Sequence, residues 1–313
     1  MEQNQKGRES GNGSGNREQR TYDNRVVSMI EKFKASGKYE LMKEGERYYQ
    51  ADNDIKNRKI TRKVDGHKEE ETWRANNKLA HAKYKIQVDE KIAYLLTKPV
   101  TYKTDGADKN DTYVEKVKDV LGKHFQYQLT QLGYEASNKG IGWLHVYLDP
   151  EGELKTIVIP AEQCIPYWSD RSHTELDAMI RVYNTTVWQY NQEKEITNVE
   201  IWTKDGVKYY RLEGQMLVYD NDKSMDAGGP VAHYKSVEEW KTWGKVPFIP
   251  FKNNQIEMPD IKFVKSLIDG YDLGRSEAAN YMDEVKNLIF VLKGYGGQNL
   301  SDFIKQLMKT EQF

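Results

Sequence analysis

The sequence predicts an α+β protein. After a tail over 1–20, helices with a loop between them run to about 135, an antiparallel β meander runs from about 141 to 251, and one long helix follows. Three observations carry that reading. Apolar residues recur at spacings of three and four through residues 21–50, 79–96 and 112–132, which is the period of a helix with one buried face. From Gly142 the period falls to two, and pairs such as Asp205-Gly206 and Glu213-Gly214 punctuate the runs, as in hairpins. From Pro259 to Ile289 the helical period returns without a break, through Ile261, Val264, Ile268, Tyr271, Arg275, Ala278, Met282, Val285 and Ile289.

In chain order, residues 1–20 hold Gly, Asn, Ser, Gln and charge with no apolar residue after Met1, which predicts a disordered tail. Helix is expected over 21–50, broken near Ser36-Gly37, then a polar loop over 52–71 with a turn at Asp65-Gly66. Leu79 to Leu96 predicts a helix on the stripe Tyr84, Val88, Ile92 and Leu95. Asn76 or Asn77 is placed to cap its start, and Pro99 follows its end. A second helix is expected from Thr112 to Leu132, with Val114, Val117, Leu121, Phe125, Leu129 and Leu132 inward. The meander begins with Gly142–Leu148, turns at Asp149-Pro150-Glu151-Gly152 and returns through residues 154–160. Strands are then expected at Asp177–Tyr183, Val199–Thr203, Val207–Leu212 and Met216–Tyr219. Residues 221–245 read as a polar loop. Pro247 and Pro250 confine the run from Val246 to Phe251 to a sheet edge.

The helix from 259 to 287 organises the rest. Pro259 and Asp260 suit its start, because an amide is unpaired there and an acid favours the positive dipole end. About 28 residues would span about 42 Å. Gly270, Gly274 and Ala278 leave one strip nearly without side chains. Two interior glycines cost about 2 kcal/mol relative to alanine, which makes sense where another helix comes very close. Opposite the apolar stripe lie Lys262, Ser266, Asp269, Ser276, Asn280, Asp283 and Asn287, a polar, net acidic face. Such a helix fits one stave of a multi-subunit tube or a long surface helix of a single subunit. After it, residues 290–297 read as a strand into a glycine turn, and 301–310 as a short helix capped by Ser301.

Composition sets the remaining bounds. The 313 residues are 30% charged and 12% aromatic, enough apolar material for a core. Residues 1–103 hold 23 Lys/Arg against 16 Asp/Glu, and the remainder 24 against 32, so a net charge of −1 conceals a basic N-terminal third and an acidic remainder. That is the charge pattern of a dipolar subunit. The one cysteine, Cys164, excludes an internal disulfide, and its apolar neighbours favour packing over reactivity. No apolar run approaches 18 residues, and the first residues carry no apolar signal-peptide core.

Motifs for chemistry are missing. There is no GxxxxGK[ST], no GxSxG and no HExxH, and the six histidines (67, 81, 124, 145, 173, 233) show no ligand spacing. No carboxylate pair stands apart from the solvated acidic surface. The sequence therefore predicts no enzyme, no cofactor and no metal. A nucleic-acid-binding module using the basic third, with its Lys/Arg-rich segment 56–63, is the alternative to a structural protein. An enzyme built on the aromatic-rich meander would need a catalytic pair that the sequence does not supply.

Two blocks resemble bacteriophage portal proteins of tailed phages of Gram-positive hosts. In Asn76–Tyr102 the family's Asn pair, its "VD.K..YL" helix and its "GKP" are met at Asn76, Asn77, Val88, Asp89, Lys91, Tyr94, Leu95, Lys98 and Pro99, with Thr97 in place of the usual Gly. The second block is Val246–Asn254 followed by the long helix through "LIDGYD" and "LIFVLKGYGG". The resemblance implies a structural subunit of a ring, a dodecamer in the family, at one capsid vertex. Double-stranded DNA would pass through it in packaging and ejection. It implies a wing over 21–258, a stem helix over 259–287 and a partial clip over 288–313, with Lys293, Tyr295 and Phe303 as candidate clip contacts. Gly270, Gly274 and Ala278 would pack stem helices, and the polar face of the helix would look into the channel or at a neighbour. The implied partners are terminase, a head-completion adaptor, and the major capsid and scaffolding proteins, in the virion and, during assembly, the host cytoplasm. The family pattern continues past Phe313, so the resemblance also implies a C-terminally truncated subunit.

Overall fold

The computed structural model describes residues 12–64, 67–103, 111–189, 192–224, 229–236, 239–291 and 302. Two compact units are interleaved in sequence, one formed by residues 1–44 with 91–260 and the other by 45–90 with 261–313.

The first unit is a layered α+β body. Its five-stranded antiparallel sheet has the order β5 (Cys164–Trp168), β6 (Leu176–Gln189), β7 (Gln192–Thr203), β8 (Gly206–Glu213), β9 (Met216–Tyr219). Strand alternation sends Ile180, Val182, Val199, Ile201 and Tyr210 to one face, where they pack with Val26 and Ile30 of α1 (Asn12–Lys34). Met179, Trp202 and Val207 belong to the other core. There they meet Trp143, Ile159 and Phe248 of a three-stranded sheet, β12 (Phe248–Lys252), β3 (Ile141–Leu148) and β4 (Leu154–Ile159). The expected edge position of the proline-bearing run holds, since Pro250 lies on β12 at the sheet edge.

The sequence expectations miss at identifiable places. Helix α1 reaches back to Asn12, into the segment expected to be a tail. The helix expected over 112–132 is two, α4 (Asp111–Leu121) and α5 (Phe125–Lys139), because Gly122 turns left-handed with φ 72°. Strand β5 was not anticipated, and its Pro166 is tolerated because β5 is an edge. Strands β6 and β7 are longer than their apolar pattern indicated. The expected polar loops hold short hairpins, β1 (Thr61–Val64) with β2 (His67–Glu70) and β10 (Tyr234–Lys235) with β11 (Trp240–Lys241). The Asp65-Gly66 turn and, Asp302 apart, the expected elements after Val291 lie outside the described residues.

Two tight polar sites fix this unit. Gly140 ends α5 in the left-handed region, φ 88°, and a Cβ there would overlap the Glu257 carbonyl. Glu257 itself has φ 53°, unusual for a residue with a side chain. Lys38 and His173 hold its carboxylate at 2.8 Å and Lys252 at 3.2 Å. Burial alone would raise its pKa, but the two lysines and the hydrogen bond with the His173 ring hold it down at about 2.

Candidate functional site on the long helix

The second unit is built around α6 (Ile261–Val291). Residues 75–82 beside it belong to no helix or strand. Backbone N–H groups in such a segment need acceptors, and α6 supplies them from side chains. The His81 amide donates to Asp272 at 3.1 Å, the Leu79 amide to the Ser276 hydroxyl at 3.0 Å and the Asn77 amide to Asn280 Oδ1 at 2.6 Å. The match is geometric. Two residues of extended chain advance about 6.6 Å, and four residues of helix about 6 Å. Alternate amides therefore meet helix positions four apart.

Side chains complete the ladder. The Asn53 amide donates to Asp272 at 2.5 Å, and His81 Nδ1 lies 2.9 Å from the same carboxylate. Asn77 Nδ2 donates to Asp283 at 2.8 Å, and Arg74 to Glu284 at 3.2 Å. Tyr48 donates to Asp269 and Arg58 to Glu277. Lys265 joins Asp269 at 2.6 Å and Asp54 at 2.5 Å. Burial would raise the pKa of Asp54, but Lys265 and Arg47 outweigh it and bring it down to about 2. Burial also raises that of Tyr48, and its bond to Asp269 takes it to about 12.

This arrangement turns the helix over relative to its sequence reading. Of the seven candidate channel-facing residues, Ser276 and Asn280 are buried, and Asp269 and Asp283 are half-buried and bonded within the chain. Lys262 and Ser266 are exposed, and the side chain of Asn287 lies outside the described residues. The stripe read as apolar and inward holds only at its start. Ile261 and Ile268 are buried and Val264 half-buried, whereas Tyr271, Arg275, Ala278 and Met282 are exposed. The reason is that Asp272, Ser276 and Asn280 continue the same helical row as Ile261 and Ile268, so the buried face changes from apolar to polar partway along. Nor does the Asn76-Asn77 pair cap a helix. Helix α3 starts at Lys83 (Lys83–Leu96), Asn77 serves the ladder, and Asn76 donates to the Arg58 carbonyl at 3.3 Å.

The side of α6 opposite the ladder presents Phe263, Leu267, Gly270, Gly274, Ala278 and Tyr281 at spacings of three and four, all exposed. Leu267 is 73% exposed and Tyr281 70%. A Cβ at Gly270 or Gly274 would touch nothing within 4 Å. The polar row of α6 is thus buried and the opposite row, with its apolar side chains, is exposed. The candidate clip residues Lys293, Tyr295 and Phe303 lie outside the described residues. Among the described residues no group of three or more His, Cys, Asp or Glu is placed to hold a metal, and no helix is long and apolar enough to cross a membrane.

A family model described as phage portal protein, SPP1 Gp6-like, matches residues 35–312. The chain is 33% identical over 283 residues to the portal protein of Bacillus phage SPP1, covering 90% of this chain and 54% of that one. It is 32% identical over 272 residues to the portal protein of Clostridium phage phiCD119, covering 84% and 56%. The chain spans about half the length of these curated relatives.

Proposed function

Because the chain belongs to the SPP1 Gp6-like family of phage portal proteins, we propose that it is a structural subunit, without catalysis, of the ring at a capsid vertex. Double-stranded DNA enters and leaves through that ring. The observation that supports this most is the inverted helix α6. Its polar face is occupied by residues 45–90 of its own chain, and its apolar face waits for a neighbour. Full burial of Phe263, Leu267 and Tyr281 stabilises by roughly 1.5–3 kcal/mol each, which offsets the cost of two helical glycines, about 2 kcal/mol. Gly270, Gly274 and Ala278 would let the next subunit's helix approach closely, making α6 a stem helix packed side by side around a channel.

Asp269, Ser276, Asn280 and Asp283 are engaged within the chain, so the channel-facing proposal narrows to Lys262, Ser266 and Asn287. Lys293, Tyr295 and Phe303 remain proposed contacts for terminase and, later, the head-completion adaptor. The capsid and scaffolding proteins would surround the wing. The ring would stand in the virion, after assembly in the host cytoplasm. A dodecamer is the number we adopt.

Replacing Gly274 by Leu tests the packing. Space around Gly274 is open in the single chain, and leucine is the better helix former. The variant is therefore expected to unfold at the same urea concentration as wild type or higher, and to lose assembly in sedimentation velocity. Assembly at the wild-type level would refute close packing through this face.

A further inference from the structure

The hairpin of β6 and β7 outruns its sheet. Strand β5 pairs with β6 only as far as Arg181, and β8 pairs with β7 only as far as Thr197. Beyond these points β6 and β7 pair with each other alone, from Thr185↔Ile196 to Gln189↔Gln192. Five such pairs make an arm about 17 Å long. A lone two-stranded ribbon is marginal in water, and this one is braced at its root. Asn184 donates to Glu195 at 2.8 Å, the Thr197 hydroxyl to Asn184 at 3.0 Å and Asn198 to the Thr185 hydroxyl at 2.7 Å. Thr185, Thr186, Val187 and Ile196 add β-branched stiffness. Near the far end stands Trp188, 71% exposed and directly across from Glu193.

An indole held out on a braced arm contributes little to the packing of its own chain and is the residue type that anchors interfaces. Charge narrows the partner. Strand alternation puts Trp188, Glu193 and Glu195 on one face, and the only cation of the described arm, Lys194, on the other. Two carboxylates beside the anchor disfavour phosphate, whether of nucleic acid or of a lipid headgroup. They favour a protein surface that is apolar and basic.

This chain carries such a surface. Tyr113, Lys116 and Val120 form one exposed row on α4, with Glu115 and Asp119 at its flank, and beyond the turn at Gly122 Lys123 and Tyr127 of the next segment are exposed as well. A closed ring is built from head-to-tail contacts, in which each copy presents two different, complementary patches. We propose that the β6–β7 arm of one copy docks on the exposed residues of α4 and the start of α5 of the next. Trp188 then lies among Tyr113, Val120 and Tyr127, with Glu193 and Glu195 facing Lys116 and Lys123. The inference rests on the ring reading given above and names a second contact for it, independent of α6.

The test is disulfide trapping between differently tagged copies of the full chain. Its own thiol, Cys164, is buried, so the background is low. Trp188→Cys is co-assembled with Tyr127→Cys or Val120→Cys, and as a control with Met216→Cys, an exposed position of β9. Mixed-tag disulfides several-fold above the control are expected for the α4–α5 positions. Rings that form with no such enrichment overturn the arm contact and leave the ring reading intact. If the wild-type chain forms no assembly at all, the ring reading fails and the arm contact with it. As a second measurement, Glu193→Lys with Glu195→Lys should weaken assembly, and Lys116→Glu with Lys123→Glu on the same chain should restore it. Failure of the compensated chain to recover, while each pair alone stays folded, counts against the pairing.

Discussion

Asp272 has no solvent exposure and accepts bonds from Asn53 and from the amide and ring of His81. Replacing it with Ala strands those donors in a buried site, at about 1–3 kcal/mol for each one left unpaired. Asp272→Ala should therefore shift the urea midpoint strongly downward, whereas Leu267→Ala on the bare side should leave it within experimental scatter. An equal response to both substitutions would mean the ladder does not hold the unit together. A second expectation concerns His145, buried against Trp202 and Phe248 with Nδ1 3.0 Å from the Pro247 carbonyl. Burial brings its pKa from 6.5 down to about 4. Below pH 6.5 the unfolded chain binds a proton that the folded imidazole refuses, so stability falls with acid until about pH 4, where the folded form protonates too. Urea midpoints across pH 7 to 4 should show this slope, and His145→Gln should flatten it. The roles of these residues were not legible in the sequence. An acidic residue on a helix face and a histidine in an alternating strand look the same whether they face water or a neighbour 191 residues away.

At the scale of elements, the period of α6 was readable and its orientation was not. Periodicity reports which residues share a face. It does not report which face is covered once polar and apolar residues occupy rows of equal regularity. Ile261 and Ile268 pointed correctly to the buried side, but the row through Asp272, Ser276 and Asn280 continues it with polar groups that only a partner segment could explain. The signal that could have revealed this was residues 75–82. That stretch has too little apolar content to be a strand, yet it carries amides that need acceptors. Similarly, β6 and β7 were cut short because their outer residues are exposed on both faces, so no alternation marks them. The turn at Gly122 was hidden because Leu121 and Phe125 keep the helical spacing across it. The meander, its hairpin turns and the edge position of Pro250 were legible because each depends on local chain chemistry alone.

For the whole molecule, interleaving is the feature that no local pattern announces. Residues 45–90 and α6 form one unit, although the entire β body lies between them in sequence. The family likeness reached the right elements because its two blocks, the Asn76-Asn77 segment and the long helix, are the two sides of the hydrogen-bonded ladder. On the proposed reading, those elements act together when copies of the chain meet through the bare row of α6. Negative-stain electron microscopy of the purified chain, with the symmetry of the particles counted, tests that claim most directly. Closed rings with a central opening wide enough for duplex DNA are expected. A chain that remains monomeric across a broad concentration range, or that pairs only as a two-fold dimer, would contradict it.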